Sequence, residues 1–366
     1  MKILQVTYSL SSGGAERFVV DLSNELSKDK FNKVTLVTIV DDTIPQNRHF
    51  LSELSENVEY VCLGAESGFN KVSFIRMFSI IRSLKPDIVH AHCNLLLLYF
   101  PALLLRRSKY LHTLHNLAEA CLKYDFLKPI NKFFYKRYVQ PVTISDICKR
   151  SYEKLYKLKN TVCIPNGRTP IATTPELLPT EREISSFKIT PRDKIFIHVA
   201  RFHKQKNQQL LFDTFYRLYQ EGENVQLLVI GAGHQQSIEL LLGKECPSIH
   251  FLGEKINIGD YLSLSDFFIL SSSWEGLPIS LLEAMSMGVV PVCTPAGGIP
   301  DVVVDGVTGY LSPSFNDDDF YSTVKRALTD VNRIDRNKIV AEYENKHSMA
   351  ECAKNYLKVY TRTTHD

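Results

Sequence analysis

The sequence predicts an α/β protein made of two doubly wound domains. Short β-branched runs alternate with segments of helical period, which is typical of a parallel sheet covered by helices on both faces. This alternation stops at a proline-rich stretch, 169–179, and then restarts. With 366 residues, the chain is also long enough for two cores. We therefore expect domains at 1–168 and 169–346, and a last helix at about 347–366 that packs back onto the first domain.

The predicted strands are short and regularly spaced in both halves. In the first half they are 3–8, 33–40, 87–90, 110–114 and 142–145, with helices near 15–26 and 72–83. In the second half they are 194–200, 226–230, 250–252, 267–270, 289–292 and 309–311, with a helix near 208–221. Ligands of such sheets bind at the carboxyl ends of the strands. We expect the two domains to face across a cleft that holds the site.

Composition excludes several other classes of protein. Hydrophobic residues make up 44% of the chain and charged residues 23%, as in a globular protein. The eight cysteines form no CxxC pair, so we expect reduced thiols and no structural metal. The first residues lack a secretory signal, and the most apolar window, 95–105, is too short to span a bilayer. We expect a cytoplasmic protein.

One segment of the first half is strongly basic. Residues 100–160 carry 13 basic and 4 acidic side chains, interleaved with aromatic residues. Such a surface suits anionic lipid headgroups on the inner face of the cytoplasmic membrane. The solvated face of ordinary helices explains the pattern equally well. A nucleic-acid surface is the weaker interpretation, because no reader motif accompanies the charge.

Glycines follow the first predicted strand. Gly13 and Gly14 lie where that strand passes into a helix, a geometry that presents backbone N–H groups to an anion. Turn glycines are common at such junctions, so this motif by itself is weak evidence.

Two cations follow the first strand of the second half. Arg201 comes directly after the strand, and Lys206 precedes a helix that begins near Asn207. Two such charges can clamp a diphosphate. Isolated surface cations are the ordinary alternative, but no carboxylate lies between the two in the sequence. The pattern therefore predicts an unneutralised cationic cluster.

The strongest single motif pairs two carboxylates eight positions apart. Glu275 lies in a tight turn that contains Gly276 and Pro278, and Glu283 lies on the helix that follows. The pair can serve several hydroxyls of a nucleotide sugar. Histidines also concentrate at predicted strand ends of the first half, as His90, His92, His112 and His115. Metal binding by these histidines is disfavoured, because the adjoining segments offer few carboxylates.

Together these motifs resemble glycosyltransferase family 4, over almost the whole chain and in the family's order. The resemblance rests on the segments 13–17, 87–92, 165–167, 201–207 and 275–285. It implies the GT-B fold of two Rossmann-like domains, the first binding the acceptor and the second the nucleotide-sugar donor. Ala200 departs from the family's pattern, which often has glycine there.

The resemblance also implies roles for individual residues. Arg201 and Lys206 would neutralise the donor diphosphate, Glu275 would receive the transferred sugar, and Glu283 the ribose hydroxyls. His115 would approach the donor sugar beside the reacting centre. The remaining donor-binding positions are Gly13, Gly14, Gly231, Gly253, Gly276, Leu277 and Pro278.

The implied reaction is hexosyl or N-acetylhexosaminyl transfer with retention of configuration and without a metal or other cofactor. The donor would be a nucleotide sugar, with UDP the favoured nucleotide. The acceptor would be a glycan or a polyprenyl-diphosphate-linked saccharide of bacterial surface polysaccharide assembly. Three alternatives stay open. They are an isomerase similar to UDP-sugar 2-epimerase, a non-catalytic sugar- or lipid-binding protein, and an NAD-dependent oxidoreductase, which the incomplete fingerprint at 231–236 disfavours.

Overall fold

The computed structural model describes residues 1–66, 71–92, 94–122, 124–233, 246–330 and 333–361. The chain divides into two compact units. Unit 1 comprises Met1–Thr169 and Lys346–Asp366, and unit 2 comprises Pro170–Asn345. The break between the units therefore lies after Thr169, beside the predicted boundary after residue 168.

Unit 1 contains a seven-stranded parallel sheet in the order β3-β2-β1-β4-β5-β6-β7. Its elements before the linker are β1 (Lys2–Thr7), α1 (Gly14–Ser27), β2 (Lys33–Val40), β3 (Val58–Ala65), α2 (Lys71–Leu84), β4 (Ile88–Ala91), α3 (Tyr99–Leu104), β5 (Lys109–Leu114), α4 (Ala118–Cys121), α5 (Lys128–Arg137), β6 (Val139–Thr143), α6 (Asp146–Tyr156) and β7 (Val162–Cys163). The connections reverse direction between β1 and β4, which is the switch point of a doubly wound sheet.

The sequence explains most of these elements locally. After Lys2, β1 is buried along its length because helices cover both faces of the sheet. Ser145 begins α6, its hydroxyl accepting a hydrogen bond from the Cys148 N–H. The edge strand β3 has no counterpart among the predicted strands, because exposed residues such as Glu59 and Gly64 interrupt its apolar pattern.

Unit 2 contains a six-stranded parallel sheet in the order β10-β9-β8-β11-β12-β13. Its elements are α7 (Leu177–Phe187), β8 (Lys194–Val199), α8 (Gln208–Gln220), β9 (Val225–Ile230), β10 (Ile249–Gly253), α9 (Ile258–Ser263), β11 (Phe267–Leu270), α10 (Ile279–Ser286), β12 (Val290–Cys293), β13 (Tyr310–Leu311), α11 (Asp317–Thr329) and α12 (Arg336–Lys346). Phe196 stacks on Phe267 of the neighbouring strand, their ring centroids 4.7 Å apart. The switch point of this sheet lies between β8 and β11.

The last described helix, α13 (Met349–Thr361), belongs to unit 1. Its buried residues include Tyr356 and Tyr360, and Tyr360 is hydrogen-bonded to Gln5 on β1. The helix begins two residues after the predicted start at about residue 347, and residues 362–366 of the predicted helix lie outside the described part of the chain. Within the described residues, every helix is too short or too polar to cross a lipid bilayer. The seven described cysteines are free thiols, and Cys93 lies outside the described ranges.

Candidate active site

The switch point of unit 2 collects three of the predicted site residues. Arg201 and Lys206 follow β8, and Glu275 follows the neighbouring strand β11. The carboxyl ends of parallel strands meet at one edge of the sheet, where doubly wound folds bind their ligands.

Lys206 and Glu275 form a direct ion pair. The Lys206 Nζ atom lies 2.7 Å from Glu275 Oε1, and Gln205 Nε2 donates to Glu275 Oε2 at 3.0 Å. The Glu275 side chain is 6% exposed and that of Lys206 16% exposed. The prediction of an unneutralised cationic cluster is therefore wrong for Lys206. Its carboxylate partner comes from a distant part of the chain, which inspection of the neighbouring sequence cannot reveal.

A short 3-10 turn brings Lys206 to this position. The turn spans Lys204–Lys206 and ends at Asn207, which adopts the left-handed conformation with φ of 48°. The Ser271 hydroxyl donates a shared hydrogen bond to the carbonyl oxygens of Lys206 and Asn207, at 2.9 and 3.0 Å. These contacts tie the turn to the segment after β11. Helix α8 begins at Gln208, the start of the helix predicted near 208–221.

Arg201 differs from Lys206 in its surroundings. Its side chain is exposed, and its guanidinium group forms no hydrogen bond or ion pair within the described part of the chain. Its backbone is held in place, because Gln208 Nε2 donates to the Arg201 carbonyl oxygen at 3.1 Å. The Phe202 N–H donates to the Ala232 carbonyl oxygen at 2.7 Å. The result is a fixed backbone with an accessible positive charge.

Two glycines allow the loops of this edge to approach closely. A Cβ atom on Gly297 would lie 1.9 Å from the Glu275 carbonyl oxygen, and the residue has φ of +59°. A Cβ atom on Gly231 would lie 2.1 Å from the Ala200 carbonyl oxygen, at φ of +146°. Only glycine fits at either position. Gly231 is among the donor-binding positions that the family resemblance implies, whereas Gly297 is not.

The other predicted residues of unit 2 surround this edge. Gly276 and Leu277 are buried, and Pro278 immediately precedes α10. Glu283 lies on α10 with a partly exposed side chain. Gly253 is the last residue of β10, and its carbonyl oxygen accepts a hydrogen bond from the Gly231 N–H at 2.8 Å. The structure therefore brings Lys206 and Glu275 into contact and places the others on neighbouring segments.

In unit 1, the predicted glycines stand at the start of α1. Gly13 is the extended residue before the helix, and Gly14 is its first residue. A Cβ atom on Gly13 would lie 2.2 Å from the carboxylate atom Oε2 of Glu16. This arrangement resembles a capping box, in which the third helical residue reaches back to the residue before the helix. A carboxylate thus lies beside the backbone that was predicted to face an anion.

Three histidines of unit 1 form one group at the carboxyl ends of β4 and β5, with His90 and His92 buried and His115 half-buried. His92 Nδ1 lies 3.0 Å from His115 Nε2, and His90 Nε2 lies 2.8 Å from Thr113 Oγ1. Burial lowers the pKa of His115 to about 3 and those of His90 and His92 well below the ordinary value. The three rings are therefore neutral at physiological pH.

His112 is separate from this group. It alternates with Thr113 along β5 and so points to the other face of the sheet, where its Nδ1 atom lies 2.7 Å from the Tyr135 hydroxyl. Gln5 and Tyr360 join the other histidines, and neither had been singled out from sequence. Gln5 lies within the predicted strand 3–8. A polar side chain between two apolar neighbours is the only local indication of its role. Among the described residues, no group of three His, Cys, Asp or Glu side chains could hold a metal ion.

Solved structures share this architecture. HepE of Anabaena, solved in complex with UDP, superimposes with a TM-score of 0.81 at 17% identity, covering 98% of this chain and 99% of that one. Two parallel, doubly wound units with this likeness define a protein of the GT-B fold, as predicted.

Family models identify the class of enzyme. The model of glycosyltransferase family 4 matches residues 12–170, and that of glycosyl transferases group 1 matches residues 179–346. The chain belongs to this glycosyltransferase family, which confirms the resemblance found in its motifs.

Two curated relatives show how far the similarity extends. N-acetyl-alpha-D-glucosaminyl L-malate synthase of Bacillus anthracis is 36% identical over 128 residues, which cover 34% of this chain and only 33% of that relative. A second relative is N-acetylgalactosamine-N,N'-diacetylbacillosaminyl-diphospho-undecaprenol 4-alpha-N-acetylgalactosaminyltransferase of Campylobacter jejuni. It is 26% identical, and the match covers 93% of this chain and 92% of that relative.

Proposed function

We propose that this protein is a retaining, metal-independent glycosyltransferase that transfers a sugar from a UDP-sugar to a lipid-linked saccharide in bacterial surface polysaccharide assembly. The observation that carries the proposal is the Lys206–Glu275 ion pair beside the accessible Arg201 at the switch point of unit 2. It combines a carboxylate that can accept sugar hydroxyl hydrogens with two cations suited to a diphosphate.

The cations would act on the leaving group. As the bond between sugar and diphosphate breaks, negative charge develops on the phosphate oxygens. Arg201 and Lys206 would stabilise that charge from fixed positions, a role that divalent metals fill in other phosphate chemistry. This division of labour supports a reaction without a metal cofactor.

Glu275 is better suited to binding than to covalent attack. Both of its carboxylate oxygens already accept hydrogen bonds, from Lys206 and Gln205, and these lower its strength as a nucleophile. A mechanism in which the acceptor hydroxyl attacks the face that the diphosphate leaves requires no glycosyl-enzyme intermediate. Attack on that face retains the configuration of the sugar. Because the hydrogen bonds to Glu275 weaken it as a nucleophile, they favour this mechanism over one with a glycosyl-enzyme intermediate. We assign Glu283 to the ribose hydroxyls and His115 to the donor sugar.

The relatives support the choice of substrates. HepE is solved in complex with UDP, and the Campylobacter relative is named for a diphospho-undecaprenol acceptor. An acceptor of that kind lies in a membrane, and unit 1 offers a surface for approaching one. Exposed apolar side chains at Phe126 and Phe133 stand among exposed lysines of α5, in the manner of amphipathic segments that bind anionic lipid.

The donor assignment is tested by calorimetric titration of the purified protein, without divalent metal, against UDP, GDP, ADP and NAD. Selective binding of UDP, weakened in Arg201→Ala and Glu283→Ala, is the expected result. Binding of NAD, or of no nucleotide by a folded protein, would overturn the assignment. Release of a free epimerised sugar from UDP-sugar would identify an isomerase instead.

The membrane assignment is tested by flotation with vesicles of phosphatidylglycerol or of phosphatidylcholine. We expect binding to the anionic vesicles alone, and loss of that binding in the double variant Phe126→Ser, Phe133→Ser. Phe31→Ser is the matched control, because Phe31 is 89% exposed and lies outside the basic segment. Equal binding to both vesicles, or an undiminished double variant, would contradict the membrane role.

A further inference from the structure

A chain of buried hydrogen bonds links the last helix to His115. Gln5 Nε2 on β1 donates a hydrogen bond to the Tyr360 hydroxyl on α13, at 3.2 Å. The Gln5 Oε1 atom lies 2.8 Å from His92 Nε2. His92 Nδ1 in turn lies 3.0 Å from His115 Nε2. Gln5 is fully buried and His92 is 8% exposed, so water does not compete for these contacts.

Each histidine ring in this chain carries a single proton. Burial is the largest cause of their lowered pKa values, which keep His92 and His115 neutral. A neutral imidazole has one nitrogen that donates and one that accepts. The direction of each hydrogen bond therefore determines the direction of the next one.

Only two arrangements satisfy the contacts between Gln5 and His115. In the first, the Gln5 carbonyl oxygen accepts from His92 Nε2–H, and His92 Nδ1 accepts from His115 Nε2–H. In the second, the Gln5 amide is rotated, both rings carry the proton on Nδ1, and every bond is reversed. Rotation of one amide thus switches both tautomers.

The far nitrogen of His115 distinguishes the two arrangements. His115 Nδ1 is buried and has no hydrogen-bond partner among the described residues. In the first arrangement this atom is a bare lone pair, and in the second it is an N–H group without an acceptor. A buried N–H group left without an acceptor is rarer in folded proteins than a buried acceptor left without a donor, which favours the first arrangement. The first arrangement also matches the orientation of the Gln5 amide, whose nitrogen faces Tyr360.

We propose that Gln5 and His92 are positioning residues that hold His115 in the Nε2–H tautomer, so that His115 Nδ1 accepts a hydrogen bond from a substrate hydroxyl. The inference rests on the proposed function and deepens it. A sugar hydroxyl can donate to this nitrogen, whereas a fully ionised phosphate oxygen cannot. His115 therefore serves the sugar and not the diphosphate.

The same chain of hydrogen bonds connects α13 to His115. Tyr360 accepts the Gln5 amide hydrogen and lies 2.8 Å from His90 Nδ1, so its hydroxyl supports the orientation of Gln5. Phe18 on α1 packs with its ring centroid 5.2 Å from that of His115. Because Nδ1 lies beneath the surface, contact with a hydroxyl requires a small movement of the groups around it.

The tautomers are measured by long-range proton–nitrogen correlation spectra of the full chain, labelled with ¹⁵N-histidine, at pH 7. His92→Gln and His115→Gln variants assign the two rings. We expect Nε2–H on both rings in the unaltered protein. Nδ1–H on His115, or different tautomers on the two rings, would overturn the proposal.

Gln5 variants test the cause. Gln5→Met removes the acceptor for His92, so the Nε2–H form of His115 should lose its dominance. Gln5→Glu offers only acceptor atoms and should preserve that form, which keeps the test decisive if the methionine variant does not fold. Gln226→Met is the matched control, because Gln226 is a buried strand residue of unit 2 whose Oε1 lies 2.8 Å from His250 Nε2. Unchanged His115 tautomers in Gln5→Met would refute the role of Gln5.

Turnover links the tautomer to the reaction. We expect kcat for sugar transfer to fall on the order of tenfold in Gln5→Met, as for a misplaced catalytic group, and to recover in Gln5→Glu. The Kd for UDP should stay constant in both variants. A wild-type kcat in Gln5→Met would overturn the positioning role. Absence of UDP binding in the unaltered protein would instead overturn the proposed function. The spectra would still show which nitrogen of His115 carries the proton.

Discussion

The Lys206 ammonium group lies 2.7 Å from the Glu275 carboxylate, although the two residues are 69 positions apart in the chain. The pair connects the carboxyl ends of two neighbouring strands and holds a positive charge in a largely buried place. Under the proposed function, a donor diphosphate would share Lys206 with Glu275, and replacing residues at this edge should separate their contributions.

Replacement of Glu275 should separate binding from transfer. In Glu275→Gln the carboxylate no longer competes for Lys206, so we expect UDP to bind as tightly as before or several-fold more tightly. Transfer should fall on the order of 100-fold, as when one polar group is removed from a reacting centre. Calorimetry and product chromatography measure the two effects. Glu181→Gln, an exposed carboxylate of the same unit, should change neither, and weaker UDP binding in Glu275→Gln would contradict this competition.

Replacement of Arg201 should weaken donor binding without affecting stability. Hydrogen bonds to charged groups contribute about 1.5 to 3 kcal/mol, so Arg201→Ala should raise the Kd for UDP by roughly 10- to 100-fold. The side chain is exposed, so the melting temperature should not change. Arg192→Ala removes an exposed arginine ahead of β8 and serves as the control. Equal UDP affinity in both variants would exclude Arg201 from the donor site.

Two glycine variants should differ sharply in stability. Gly297 and Gly306 have similar left-handed backbones, with φ of +59° and +70°. Gly306 has no atom within 4 Å of an added Cβ, whereas Gly297 would meet the Glu275 backbone. Gly306→Ala should lower the free energy of unfolding by about 1 kcal/mol, and Gly297→Ala by about 3 kcal/mol or more.

Urea unfolding measures the stability of both variants, and titration with UDP reports on the site. The Gly297 variant should also lose affinity for UDP, because the backbone that carries Glu275 must shift. Equal losses of stability in the two variants would show that the close approach to Glu275 has no energetic importance.

Acid should destabilise the protein before its carboxylates titrate. His90 and His92 are buried and His115 is half-buried, and all three are neutral when folded but bind protons below about pH 6.5 when unfolded. Their stabilising contribution is complete above that pH and is lost progressively as the pH falls, for His115 down to its folded pKa of about 3. Each ring contributes a slope of about 1.4 kcal/mol per pH unit within this window.

Urea unfolding of the protein at pH 7.5, 6.5 and 5.5 measures this slope. The slope should be smaller in His90→Gln, which removes one buried ring, and unchanged in His49→Gln, which removes an exposed histidine. A free energy of unfolding that is constant from pH 7.5 to 5.5 would contradict burial of neutral histidines.

The general architecture could be predicted because its signals are local. The sequence shows the strand and helix periods directly. It also shows the proline-rich linker and the residues that follow each strand. Arg201 and Glu275 could be singled out for that reason, since position after a buried strand places a residue at the ligand-binding edge. The edge strand β3 escaped prediction because exposed residues break its period.

Contacts between distant segments were not predictable in the same way. The sequence determined the two doubly wound units, the family and the set of charged residues at strand ends. Only the tertiary structure decided that Glu275 neutralises Lys206, that Gly297 lies against the Glu275 backbone, and that Gln5 links Tyr360 to His92. Strand order and helix packing bring these residues together, and both depend on burial of apolar surface across the whole unit.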